Sequence, residues 1–152
     1  MITYKQGDLL NVTYGFIAHS CNALGVMGSG VAKQIKEKYP KNFAAYESAC
    51  KIGKESNLGY NLYYWVAPSL CMVNMITQPT YGHSGKHIDY KHLASCLKEL
   101  RVTCKTMGKY HEHMRAINIP KIGSGLGGGD WNIIERDINL ILEDQNVICW
   151  TL

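Results

Sequence analysis

Phe16-Ile17-Ala18-His19-Ser20, ending at Cys21-Asn22, then Gly25-Val26-Met27-Gly28-Ser29-Gly30, then Val31 to Tyr39, is the stretch whose reading decides the fold. The first five residues form a short apolar run of the kind buried in a sheet. In the last segment Val31, Ala32, Ile35 and Tyr39 recur at helical spacing. The order is therefore strand, glycine-rich loop, helix. At such a junction the unpaired N–H groups and the dipole of the helix attract an anion, and glycine lets the backbone come close to it.

The same order returns later. Ala116-Ile117-Asn118-Ile119 and Pro120 lead into a loop from Gly123 to Gly129, and Trp131 to Glu143 reads as a helix with Asp130 as N-cap. Either loop alone reads equally well as a tight turn, whereas two at equivalent places suit a diphosphate.

Working outward, Ile2 to Gln6 alternates like a strand and meets a turn at Gly7-Asp8. Pro40 closes one helix or opens the next, which spans Asn42 to about Ile52. Asn61–Ala67 and Leu70–Ile76 flank Pro68-Ser69 and predict an antiparallel hairpin. Gln78 to Lys86 is a surface loop placed to lie over a cleft, Ile88 to Met107 an amphipathic helix, and Val147 to Thr151 a last strand. Strands alternating with helices, plus one hairpin, predict an α/β fold, a three-layer α/β/α sandwich around a mixed sheet, over residues 1–152.

Composition narrows the function. The 152 residues are 46% hydrophobic and carry a formal charge of +4, with the basic residues scattered. This is a mild bias toward an anionic ligand and no nucleic-acid stripe. The six cysteines form no CxxC pair, so buried thiols, no metal and no cofactor are expected. No stretch reaches the ~20 apolar residues of a membrane span. With no secretory pattern, a soluble cytoplasmic monomer that uses no membrane is expected. Val31 after Gly30 breaks the nucleotide-triphosphate loop pattern. Gly123, Gly125 and Gly128 fit GxGxxG, but too little chain follows for a dinucleotide fold.

His19, Ser20 and Asn22 stand at the strand end where open α/β sheets bind ligands. His19 reads either as a satisfied core residue or as a proton carrier. Asp8 shapes a turn or binds, and Trp150 is core or lines a base pocket.

Taken together, Gly7-Asp8-Leu9, Ala18-His19-Ser20-Cys21-Asn22, Gly28-Ser29-Gly30-Val31-Ala32 and Ile119 to Leu126 resemble a macrodomain, in order and over essentially the whole chain. The resemblance is closest to the branch holding the ADP-ribose-1''-phosphate phosphatase and the terminal ADP-ribose protein glycohydrolase. It implies a site for ADP-ribose derivatives, free or attached to macromolecules. Asp8, beside Leu9, would take the adenine amino group, Trp150 would lie beside the adenine, and Asn22 would hold the distal ribose. Gly28, Ser29, Gly30 and Val31, with Gly123, Ser124, Gly125, Leu126 and Gly127, would donate amides to the diphosphate and ribose.

Two departures bear on activity. Glycohydrolase relatives carry a lysine after Ile-Thr and an Asp after Gly-Leu, where this chain has Gln78 and Gly127. Lysine-based deglycosylation is thereby disfavoured. The retained His-Ser-Cys-Asn implies hydrolysis of ADP-ribose-1''-phosphate, with His19 as acid/base or nucleophile at an ordinary pKa near 6.5. The alternatives are an ADP-ribosyl hydrolase acting on macromolecules and a non-catalytic ADP-ribose reader.

Overall fold

The computed structural model describes residues 1–82, 85–123 and 127–152, without the side chains of Tyr110 and His113. Six strands appear among them: β1 (Thr3–Gln6), β2 (Gly15–Asn22), β3 (Asn61–Ala67), β4 (Leu70–Gln78), β5 (Ala116–Ile119) and β6 (Asn146–Thr151). Four α-helices join them: α1 (Gly30–Lys38), α2 (Pro40–Gly53), α3 (Tyr90–Tyr110) and α4 (Trp131–Ile141). The sheet order is β1-β6-β5-β2-β4-β3, parallel throughout except for the β3–β4 hairpin. The mixed sheet of an α/β fold is the architecture predicted.

Side-chain alternation sets the layers. Phe16 and Ala18 of β2, with Cys71, Val73 and Met75 of β4, pack in one cluster with Leu93, Leu97 and Leu100 of α3 and Ile134 and Ile138 of α4. On the other face Ile17 and Met72 meet Ile35 of α1, and Cys21 and Ile76 meet Tyr46 and Cys50 of α2. All six cysteines are free and buried.

Some boundaries differ from expectation. β2 runs on through Cys21 and Asn22, because backbone pairing is indifferent to side-chain polarity; Asn22 pairs with Gln78 after a register shift. α3 begins at Tyr90 rather than Ile88, since the Asp89 carboxylate caps it by accepting from Lys91 N and His92 N. Asp130 caps α4 as predicted, its Oδ1 accepting from Asn132 N at 2.9 Å. Asp130→Ala is expected to cost about 1 kcal/mol. A thermal melt should read this as a Tm lower by about 2–4 °C.

Candidate functional site

The C-terminal ends of β2, β4 and β5 open into one cavity of about 450 Å³. Val26 and residues 28–32 form one wall, Pro120 to Gly123 with Gly127 the opposite wall, and Gln78, Tyr81 and Gly82 a third side. His19, Ser20, Cys21 and Asn22 also line it. The tertiary structure thus brings Gly28, Ser29, Gly30, Val31, Gly123, Gly127, His19 and Asn22 to one place. Ser124, Gly125 and Leu126 lie outside the described residues.

The first wall is the start of α1. Ser29 is extended, and the first intrahelical bond runs from Lys33 N to Ser29 O. The amides of Gly30, Val31 and Ala32 precede that bond and are donors for an anion. Gly30 has φ +59°, the left-handed region that favours glycine.

The second wall is pinned from behind. Gly129 N donates to Gly123 O at 2.8 Å, and His87 N and Ile88 N donate to Gly127 O at 2.8 and 3.1 Å. A Cβ on Gly127 would meet Gly123 O at 2.8 Å and Gln78 Nε2 at 3.0 Å. An aspartate therefore has no room at this position, which accounts for one departure noted in the sequence.

Asn22 organises the first loop. Its Oδ1 accepts from Leu24 N and Val26 N, its Nδ2 donates to Val26 O at 2.8 Å, and the Tyr46 hydroxyl donates to the Asn22 backbone O at 2.6 Å. These bonds use one of the two Nδ2 hydrogens and leave the other for a ligand.

His19 is buried, 2% exposed, on the α1/α2 face. Asn74 Nδ2 donates to Asn42 Oδ1 and Leu62 O, so Asn74 Oδ1 faces His19 and Nε2–H donates to it at 2.7 Å. Cys21 Sγ lies 3.7 Å from Nδ1. Burial lowers the His19 pKa to about 4 and outweighs the Asn74 bond, which raises it. The expectation of an imidazole titrating near neutrality is therefore corrected: at pH 7 the ring is neutral.

Asp8, Leu9 and Trp150 gather elsewhere, where β1 and β6 end together; none lines the cavity. Asp8 Oδ1 caps a 3₁₀ turn by accepting from Leu10 N at 2.9 Å. Leu9 is buried in a cluster on which Trp150 packs, and the indole N–H donates to Asn118 Oδ1 at 2.9 Å. Lys121 lines the cavity, whereas the Lys86 ammonium sits 4.0 Å from the centre of the Tyr90 ring. No carboxylate stands among the described lining residues. Sequence reading had not singled out Ser20's partner Thr77, nor Asn74 and Asn42. Asn74 and Thr77 were detectable as polar residues inside the apolar run of β4.

Residues 18–137 match the family model for the Macro domain. The chain is 32% identical over 136 residues to the DNA ADP-ribosyl glycohydrolase of Mycobacterium tuberculosis, covering 90% of this chain and 37% of that protein. Its fold overlays the macrodomain of Mycobacterium tuberculosis DarG with a TM-score of 0.81 at 26% identity, covering 100% of this chain and 98% of the other. A shorter likeness, 45% over 51 residues, covers 33% of this chain and 26% of the ADP-ribose 1''-phosphate phosphatase of Aspergillus fumigatus.

Proposed function

Since this chain belongs to the macrodomain family, we propose that it binds ADP-ribose and hydrolyses ADP-ribose-1''-phosphate to ADP-ribose and phosphate. The observation that carries the reading is the make-up of the cavity: two glycine-rich walls and Lys121, with no carboxylate among the described lining residues and a neutral histidine. Phosphoryl transfer rests on positioning and electrostatic stabilisation more than on an acid/base pair, so a cleft of this kind suits it. The amides at the start of α1 and those of the second wall take the diphosphate and the phosphoryl group. Asn22 holds the distal ribose through its remaining amide hydrogen. Asp8 takes the adenine amino group on its second carboxylate oxygen, with Leu9 and Trp150 beside the ring. His19 serves as a neutral strut that fixes the end of β2.

A second reading is favoured by the likeness over nine-tenths of the chain to a DNA ADP-ribosyl glycohydrolase: release of ADP-ribose from modified DNA by attack of water. One experiment separates the readings. Purified protein is offered ADP-ribose-1''-phosphate, an ADP-ribosylated DNA strand and an ADP-ribosylated protein, with ADP-ribose binding followed by calorimetry. Phosphate release from the first is expected. Release of ADP-ribose from DNA with no phosphate release would move the assignment to the second reading. Binding without turnover of any substrate would make the chain a reader.

A further inference from the structure

Gln78 stands where the lysine-dependent relatives keep their lysine, and its surroundings organise it. Its backbone is tied down by Ala23 N, which donates to Gln78 O at 2.8 Å. Its Nε2 donates to Ser20 Oγ at 3.0 Å, and Ser20 Oγ is in turn bonded to Thr77 Oγ1. Both Ser20 and Gln78 line the cavity, whereas Thr77 is fully buried.

The direction of this relay follows from burial. A buried hydroxyl that fails to donate is costly, and Ser20 is the one partner of the Thr77 hydroxyl among the described residues. Thr77 therefore donates to Ser20. Ser20 then accepts from both Thr77 and Gln78, which fills its two lone pairs and leaves its own hydrogen to give. The same bond fixes the Gln78 amide, with Nε2 toward Ser20 and Oε1 left as an acceptor. One donor and one acceptor, locked to each other, thus border the cavity.

We propose that Ser20 and Gln78 are a catalytic pair for the hydrolysis argued above, on which this assignment rests. Gln78 Oε1 accepts a hydrogen bond from the attacking water and orients it, while the Ser20 hydroxyl donates to a non-bridging oxygen of the 1''-phosphoryl group. The water oxygen forms its bond to phosphorus as the bond from phosphorus to the anomeric oxygen breaks. The electron pair stays on that oxygen, and a proton from the water reaches it by way of a phosphoryl oxygen. ADP-ribose and phosphate leave. Neither side chain changes protonation, in keeping with a cavity that has no carboxylate among its described lining residues.

The test is phosphate release by wild type, Gln78→Ala, Gln78→Asn, Ser20→Ala and the Ser20→Ala/Gln78→Ala double variant, with ADP-ribose affinity and Tm measured for each. Gln78→Ala and Gln78→Asn are both expected to lose about 100-fold in kcat, because an acceptor displaced by one methylene no longer places the water. ADP-ribose affinity should stay within about threefold. The double variant should fall no more than about threefold below Gln78→Ala, since the two groups act as a unit. A kcat within twofold of wild type for Gln78→Ala, or a double loss equal to the product of the single losses, would overturn the pair and leave the phosphatase reading standing. No turnover by wild type would overturn that reading, and the pair with it.

Discussion

Gly128→Ala is expected to destabilise the fold by about 3 kcal/mol and to weaken ADP-ribose binding by about tenfold or more. Gly128 has φ +70°, where a side chain costs about 1–2 kcal/mol. A Cβ there would also stand 2.2 Å from Gly85 O and 2.8 Å from Lys86 Cα, both backbone atoms. The segment carrying them must move, and it is the segment whose His87 and Ile88 amides hold Gly127 O. Losing that hold loosens the second wall of the cavity, so stability and binding fall together. Urea unfolding and calorimetry measure the two effects. Gly28→Ala supplies the contrast in stability, because its Cβ would approach nothing closer than Val26 Cγ1 at 3.7 Å. Its unfolding free energy should lie within about 0.5 kcal/mol of wild type. Equal stability of Gly128→Ala and wild type would refute the packing argument.

The second large effect is acid destabilisation through His19. Its pKa is about 4 in the fold and 6.5 in the unfolded chain. Between those values the unfolded state binds more protons, so stability falls as pH falls from 6.5 toward 4 and is fully present above 6.5. The whole difference is worth roughly 3 kcal/mol, at about 1.4 kcal/mol per pKa unit. His19→Gln keeps a donor for Asn74 without a titrating ring. Urea unfolding from pH 7 to pH 4 should show the steep acid slope in wild type and a flatter one in this variant. Identical slopes would mean that His19 protonates without cost in the fold.

Which features were legible in the sequence follows from the range of the forces involved. Local signals carried the elements. Pro68-Ser69 marked the β3–β4 hairpin, the Asp130 carboxylate marked the start of α4, and the continuous apolar run from Phe16 marked β2 as a strand buried on both sides. The glycine loops were legible because a backbone amide needs no side chain to bind an anion.

The sequence by itself determined the α/β alternation, the mixed sheet, the two loops and, through the resemblance, the family. The state of His19, the use of Asn22 as a loop clamp and the Thr77–Ser20–Gln78 relay were decided by tertiary structure alone. Each depends on groups far apart in the chain: Asn42, Asn74, Tyr46 and Thr77 meet their partners only once β2 and β4 pair and α2 packs over them. Burial moves a pKa and selects a hydrogen-bond direction through the water it removes, and that removal is a property of the packed fold rather than of any one segment.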